Sequence, residues 1–410
     1  MSNSIRSSVL KAAILANCLL VPSSFAATFG NDAAFLKKHT SLVVLHDKTG
    51  QSKVIVAPAW QGRVLTSTAE GNTGSSFGWI NRELISAGKP LPHFNALGGE
   101  DRFWLGPEGG QFALYFAKGV PFDLKHWYVP AAFDTMPYNV VDKSDGSVKV
   151  NAKFSLTNFS GTKFDVKVDR TVRLLDTDAG WKKLSLQPSD KVKMVAYESE
   201  NTITNTGKDA WTKDTGLLSI WILGQFTPSP DTTIVVPINP GPESDLGVKV
   251  TSNYFGEVPP ERLKVEDNVV YFAADGKCRS KIGFNPRRSK AVSGSYDSKK
   301  HVLTLMQFNK PDGVTEYVNS MWKIQTDPFA GDAANCYNDG PPTPGAKPLG
   351  PFYEMESSSP AAALQPGASI THVHTTMHLT GPESDLDAVS KAILGVSLAD
   401  IQAHAYKPSK

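Results

Sequence analysis

The sequence predicts an all-β fold, a large and mostly antiparallel sandwich. Three observations predict it. Short stretches of alternating polar and apolar residues recur along the chain. Turn-forming clusters of Gly, Pro, Asn and Asp separate them. No Pro/Ser/Gly linker and no helical repeat divides the series into halves. The alternation is clearest at 163–168, where Phe164, Val166 and Val168 alternate with Lys163, Asp165 and Lys167. That places the apolar set on one face of a strand and the charged set on the other.

The first element is a leader. Arg6 and Lys11 precede the apolar run 12–22 and the small-residue site Ser24-Phe25-Ala26. This is the pattern of a secretory signal peptide over residues 1–26, cleaved after Ala26. The expectation is an exported protein, periplasmic or secreted, folding as one unit over 27–410. The leader carries two of the 42 basic residues and none of the 40 acidic ones, so the remainder is formally neutral. Neutrality argues against a nucleic-acid binder or an anionic-membrane binder. No later run is long and apolar enough to span a bilayer.

After the leader a helix is expected over 32–38. Strands follow at 41–46, 53–57, 111–117, 147–159, 163–175, 192–205, 217–226, 233–239, 247–255, 263–273, 278–284, 290–308, 315–325, 352–356 and 368–379. The tail 384–405 reads as one or two short helices, with Ser384 or Asp385 as N-cap and Gly395 as a stop.

The stretch 98–111 is unlike a core strand. It packs Glu100, Asp101, Arg102, Trp104 and Glu108 among five glycines and a proline. Glycines admit close approach of backbone to a ligand or to another segment. Carboxylates, Arg and Trp are the groups that hold a polyhydroxylated ring. A tight turn with an internal Arg–Asp pair is the competing reading. Around it lie further candidate binding residues: Arg82, His93, Asn95 and Trp127, with His126 as a candidate proton-transfer group.

Late in the chain, residues 332–340 read as a polar loop. Cys278 and Cys336 are the two cysteines left after the leader, and in an exported chain they suggest one disulfide. Glu354 and Glu356 share one face of the next strand, so one of them should have a raised pKa unless a cation neutralises it. The last strand carries His372, His374 and His378 on one side. Three imidazoles in register could hold a divalent metal or supply a proton-transfer histidine, although the sequence requires no cofactor. The stretch 98–111, the Glu354/Glu356 strand and the histidine strand are expected to meet at one cleft. Each carries more charge or imidazole than a core buries unpaired.

Several of these motifs resemble a known superfamily. Gly78-x-x-Asn81-Arg82, followed by Asn95-x-Leu97-Gly98-Gly99, is similar to the early part of aldose 1-epimerases. The Glu-rich strand before Leu364-Gln365-Pro366-Gly367 is similar to their late part. Segments 98–111 and 338–367 resemble more closely an uncharacterised exported bacterial family within the galactose-mutarotase-like superfamily. The resemblance spans most of the chain after the leader. It implies the large antiparallel β-supersandwich of the galactose-mutarotase type. It also implies a Glu, Glu354 or Glu356, taking the anomeric hydroxyl proton, and a substrate-holding Arg82. The chain departs from the epimerases at the histidines, since Leu97 directly precedes Gly98 and 201–205 holds none. A proton donor would then come from His93, His126 or the 372/374/378 set.

Two functions from different classes are therefore expected, ahead of a third, purely structural role for an exported β-protein. One is acid/base chemistry on a mono- or oligosaccharide: mutarotation, epimerisation, or β-elimination of a uronide or oxidised sugar, with catalytic candidates Glu354, Glu356, His372, His374 and His126. The other is non-catalytic carbohydrate binding by the same cleft.

Overall fold

The alternation read from the sequence becomes layers of antiparallel sheet. The computed structural model describes residues 28–407, so the leader expected over 1–26 lies outside the described residues. A ten-stranded sheet runs in the order Leu263–Val265, Val269–Ala273, Thr232–Pro237, Val292–Asp297, Val302–Phe308, Ser369–Thr380, Lys193–Asn205, Lys163–Leu175, Ser147–Thr157, Asn139–Lys143. A five-stranded sheet runs Ser280–Phe284, Ala334–Asn338, Tyr353–Ser358, Ser219–Phe226, Arg102–Gly106. Val43–His46, Lys53–Ala57 and Arg63–Thr68 form a third, smaller sheet. Pairing between these strands is antiparallel throughout. The all-β reading holds.

The period of two decides what each layer buries. On Ser369–Thr380, Met377 and Leu379 face outward, and His372, His374 and His378 face the five-stranded sheet. Met377 and Leu379 join Val235, Leu303 and Leu305 under the helices Glu383–Ile393 and Leu398–Ala403, which contribute Leu386, Val389, Leu398 and Ile401. Each such side chain contributes about 1.5–3 kcal/mol when fully buried. On the five-stranded sheet Phe226, Ile282, Phe284 and Met355 point inward, against Ile234, Val236 and Met306. The opposite face of that sheet is left for other use.

Local differences from the sequence reading have physical causes. The first helix is Phe29–Leu36, capped by Thr28, three residues earlier than expected. The tail helix starts at Glu383 with Pro382 rather than Ser384 or Asp385 as N-cap. Proline's fixed φ, −58° here, suits the entry to a helix, and Glu383 and Asp385 favour its positive end. Residues 111–117 and 315–325 make turns and isolated bridges instead of strands. Conversely, Arg102–Gly106 and Ala334–Asn338 are strands within stretches read as loops.

The disulfide is also corrected. Cys278 and Cys336 are both free. Ser280 pairs with Asn338 and Ile282 with Cys336, so Cys278 lies about four residues along the ladder from Cys336. At ~3.3 Å per residue this is roughly 13 Å, twice what a disulfide spans.

Candidate functional site

The outer face of the five-stranded sheet collects polar side chains from five strands. Register fixes which ones. Arg102 lies opposite Leu223, and Trp104 opposite Trp221. Glu354 and Glu356 lie opposite Gln225 and Leu223, and on their other side Glu354 meets Tyr337 and Glu356 meets Asn335. Tyr337 in turn meets Lys281. Loops bring Phe94, Glu108, Trp127, Phe255, Trp322, Asp339 and Phe352 over this face. The cavity they wall has a volume of about 160 Å³. That is room for on the order of ten waters.

Its floor is two cation–carboxyl contacts. The Arg102 guanidinium donates to Glu354, and both side chains are almost fully buried. Lys281 Nζ donates to both oxygens of Glu356, at 3.2 and 2.9 Å, and lies 4.6 Å from the Trp221 ring centre. Trp221 Nε1 donates to Glu356 Oε2 at 2.9 Å, and Trp127 Nε1 to Glu108 Oε1 at 3.0 Å. Several buried polar atoms here have no partner: Arg102 Nε, Trp104 Nε1, and both amide atoms of Gln225, whose side chain lines the cavity. Orphaned donors and acceptors each cost ~1–3 kcal/mol unless something outside the protein fills them.

Burial dominates the electrostatics. It pushes the Glu354 carboxyl up to about 8; Arg102 pulls it down and Glu356 pushes it further up. One of the two same-face carboxyls thus has a raised pKa although Arg102 faces it, chiefly through burial and less through its neighbour Glu356. Burial raises Glu108 too, against the pull of Lys281, and takes Asp339 to about 6. Burial disfavours the Lys281 charge, but Glu356 and Glu108 outweigh it and hold its pKa above the ordinary value. At neutral pH the cavity therefore contains a protonated carboxyl beside fixed cations.

The structure divides the sequence-predicted residues. Arg102, Trp104, Glu108, Trp127 and Glu354 line this cavity, with Glu356 in its floor. The histidine strand lies on the other side of the sheet. Ser357 Oγ, on the inward face, is 2.8 Å from both His372 Nε2 and His374 Nδ1. Their pKa values fall to about 3 and about 4, first through burial, then for His372 through the charge of His374. They are neutral, interior groups. His378 is held by Thr304 at 2.9 Å and by Glu100 at 3.1 Å. The three imidazoles do not converge, and among the described residues no group of three or more ligating side chains could hold a metal.

Glu100 and Asp101 also belong to the interior. Glu100 accepts from Ser67 and Tyr197 as well as meeting His378, and these contacts overcome its burial to keep its pKa low. Asp101 pairs with the buried Arg170 at 2.6 Å. The single shared cleft of the sequence reading is thus two places separated by one sheet. The glycines of this stretch serve the fold: Gly98 has φ +97°, and a Cβ there would lie 2.0 Å from the Trp79 carbonyl oxygen.

The remaining candidates are structural or peripheral. Arg82 pairs with Asp32 and stacks on Phe35, away from the cavity. Asn95 is held by Asp134 and by the backbone of Leu91. His93 bonds the Trp127 carbonyl at 2.8 Å and stacks on Tyr128, which fixes the Trp127 loop. His126 pairs with Asp123 at the surface. No histidine lines the cavity among the described residues. Sequence reasoning missed Lys281, Trp221, Gln225 and Arg279. A visible signal was Lys281, the one charged residue of the strand Ser280–Phe284.

The chain belongs to a family of unknown function, DUF6786, whose profile matches residues 27–405. A search of curated proteins finds no match to this sequence. Among solved structures the chain is similar to a protein from Synechocystis sp. PCC 6803, at 11% identity, TM-score 0.48, covering 84% of this chain and 96% of that one. It is similar to a galactose mutarotase-like protein from Lactobacillus casei ATCC 334, at 11% identity and TM-score 0.47, covering 82% and 100%. A galactose mutarotase related enzyme from Lactobacillus acidophilus matches at 9% identity and TM-score 0.43, covering 82% and 97%.

Proposed function

We propose that the aromatic-walled cavity on the five-stranded sheet binds a sugar ring and exchanges protons with it. The observation that carries this reading is the Glu354 carboxyl, buried against Arg102 beside the unpaired amide of Gln225. Trp104, Trp127, Trp221 and Trp322 offer apolar faces for a ring, and the unpaired Gln225 and Arg102 atoms match its hydroxyls. Glu354, protonated near neutrality, donates to a ring or leaving oxygen. Glu108 is the second carboxyl, able to take a hydroxyl proton. Arg102 and Lys281 stabilise negative charge that develops on oxygen. These roles suit mutarotase- or epimerase-like chemistry, or elimination, without a histidine. The leader at 1–26 supports export, so that the sugar is met outside the cytoplasm. No helix among the described residues is long and apolar enough to cross a membrane.

The lack of a histidine in the wall favours a second reading, carbohydrate binding without turnover. Exchange spectroscopy by NMR on candidate sugars separates the two. The enzyme reading expects anomer interconversion or product formation faster than in buffer, lost in Glu354→Gln. Binding with no acceleration for any bound sugar would leave the second reading in place.

A further inference from the structure

Arg279 differs from the other cations of the cavity. Four cations line it: Arg102, Arg279, Lys281 and Lys347. Arg102 donates to Glu354, Lys281 pairs with Glu356, and Lys347 with Glu83 at 3.6 Å. The half-buried Arg279 side chain makes no hydrogen bond and no ion pair among the described residues. Its guanidinium stacks over Phe255, 3.7 Å from the ring centre, and lies 6.0 Å from that of Trp322. An arginine held over an aromatic face has already lost much of its rotamer freedom, so a bound anion pays less to order it.

The neighbouring acids are already engaged. Asp339 accepts from Tyr337 Oη and from the Gly350 amide, each at 2.8 Å, and Glu108 accepts from Trp127. An unpaired guanidinium beside engaged acids, in the wall of a cavity, calls for an anion from outside. A guanidinium fork matches a carboxylate through two parallel hydrogen bonds. Because Asp339 and Glu108 share the wall, a singly charged group fits better than a phosphate dianion.

We propose that the ligand is an acidic sugar, a hexuronate unit whose carboxylate is received by Arg279 while its ring lies among the tryptophans. This rests on the sugar-binding reading above and adds the substrate class. Arg279 would offset the carboxylate charge and so acidify the α-proton; Glu108 then takes that proton while the C4 oxygen leaves with a proton from Glu354, and the C–H electron pair becomes the C4–C5 double bond.

The test is titration by intrinsic tryptophan fluorescence of the chain from residue 27 and its Arg279→Gln variant. The probes are galacturonate, glucuronate, galactose, glucose and galactose 6-phosphate. The expected result is that at least one uronate binds about tenfold or more tighter than its neutral parent, and that Arg279→Gln removes this preference while leaving neutral-sugar binding in place. Neutral sugars binding as tightly as uronates, a preference that survives in Arg279→Gln, or tightest binding of the phosphate would each overturn the acidic-sugar assignment and leave the sugar-binding reading standing. Binding of none of the five would overturn both.

Discussion

Arg102 and Glu354 meet across the five-stranded sheet although 252 residues of chain separate them. The strand Ser219–Phe226 lies between theirs, and its Leu223 and Gln225 fix the register on either side. The pair forms the floor of the cavity and its electrostatic centre. From it follow the predictions on activity and pH.

Glu354→Gln keeps the shape of the side chain and removes its proton transfer. If the cavity turns over a sugar, the rate falls by ~10²–10⁴-fold, the usual worth of one acid or base, while affinity changes little. Steady-state or exchange kinetics with a bound sugar check this. A wild-type rate in the variant excludes Glu354 as the acid.

The same group makes stability depend on pH. Its folded pKa, about 8, lies above its ordinary value of 4.5, so the folded state holds a proton that the unfolded state has lost. Stability contributed by this group is full below pH 4.5 and is lost as pH rises toward 8. His372 and His374 act in the opposite sense. Their folded pKa values, about 3 and about 4, lie below the ordinary 6.5, so stability is lost as pH falls from 6.5 through that range. Urea midpoints between pH 4 and 9 should pass through a maximum, and in Glu354→Gln the decline on the alkaline side should be shallower.

Arg170 is fully buried on Asp101, Asn201 and the Gly62 carbonyl. Arg170→Ala strands the Asp101 carboxylate and should cost about 3–5 kcal/mol. Arg287 is exposed, with a single bond to the Asp245 carbonyl, and Arg287→Ala should cost less than about 0.5 kcal/mol. Denaturant unfolding of the two variants checks the contrast.

Thiol titration of the unfolded, unreduced chain from residue 27 should find two free thiols, and reductant should leave its melting temperature unchanged. Finding none would restore the Cys278–Cys336 bridge and displace the register between Ser280–Phe284 and Ala334–Asn338.

Much of the architecture was legible because period-two alternation is a local property. Lys163–Leu175 and Ser369–Thr380 could be read residue by residue. The site was legible only in part. Alternation told which residues share a face, so Glu354 and Glu356 were correctly grouped, as were His372, His374 and His378. It could not tell which face of the carboxylate strand meets the histidine strand. Ser357 does, and the carboxylates point the other way. Likewise nothing local shows that Lys281 reaches Glu356 while Glu100 turns to His378. Both depend on strand order between distant segments.

The most direct test of the central claim is a crystal structure of the chain from residue 27 grown or soaked with a uronate or hexose that binds in solution. The account predicts a sugar ring stacked on at least one of Trp104, Trp127, Trp221 and Trp322, within hydrogen-bonding distance of Glu354 and Gln225. A ring bound instead in the groove beside Phe77, Tyr353 and His378, on the other side of the sheet, would contradict it.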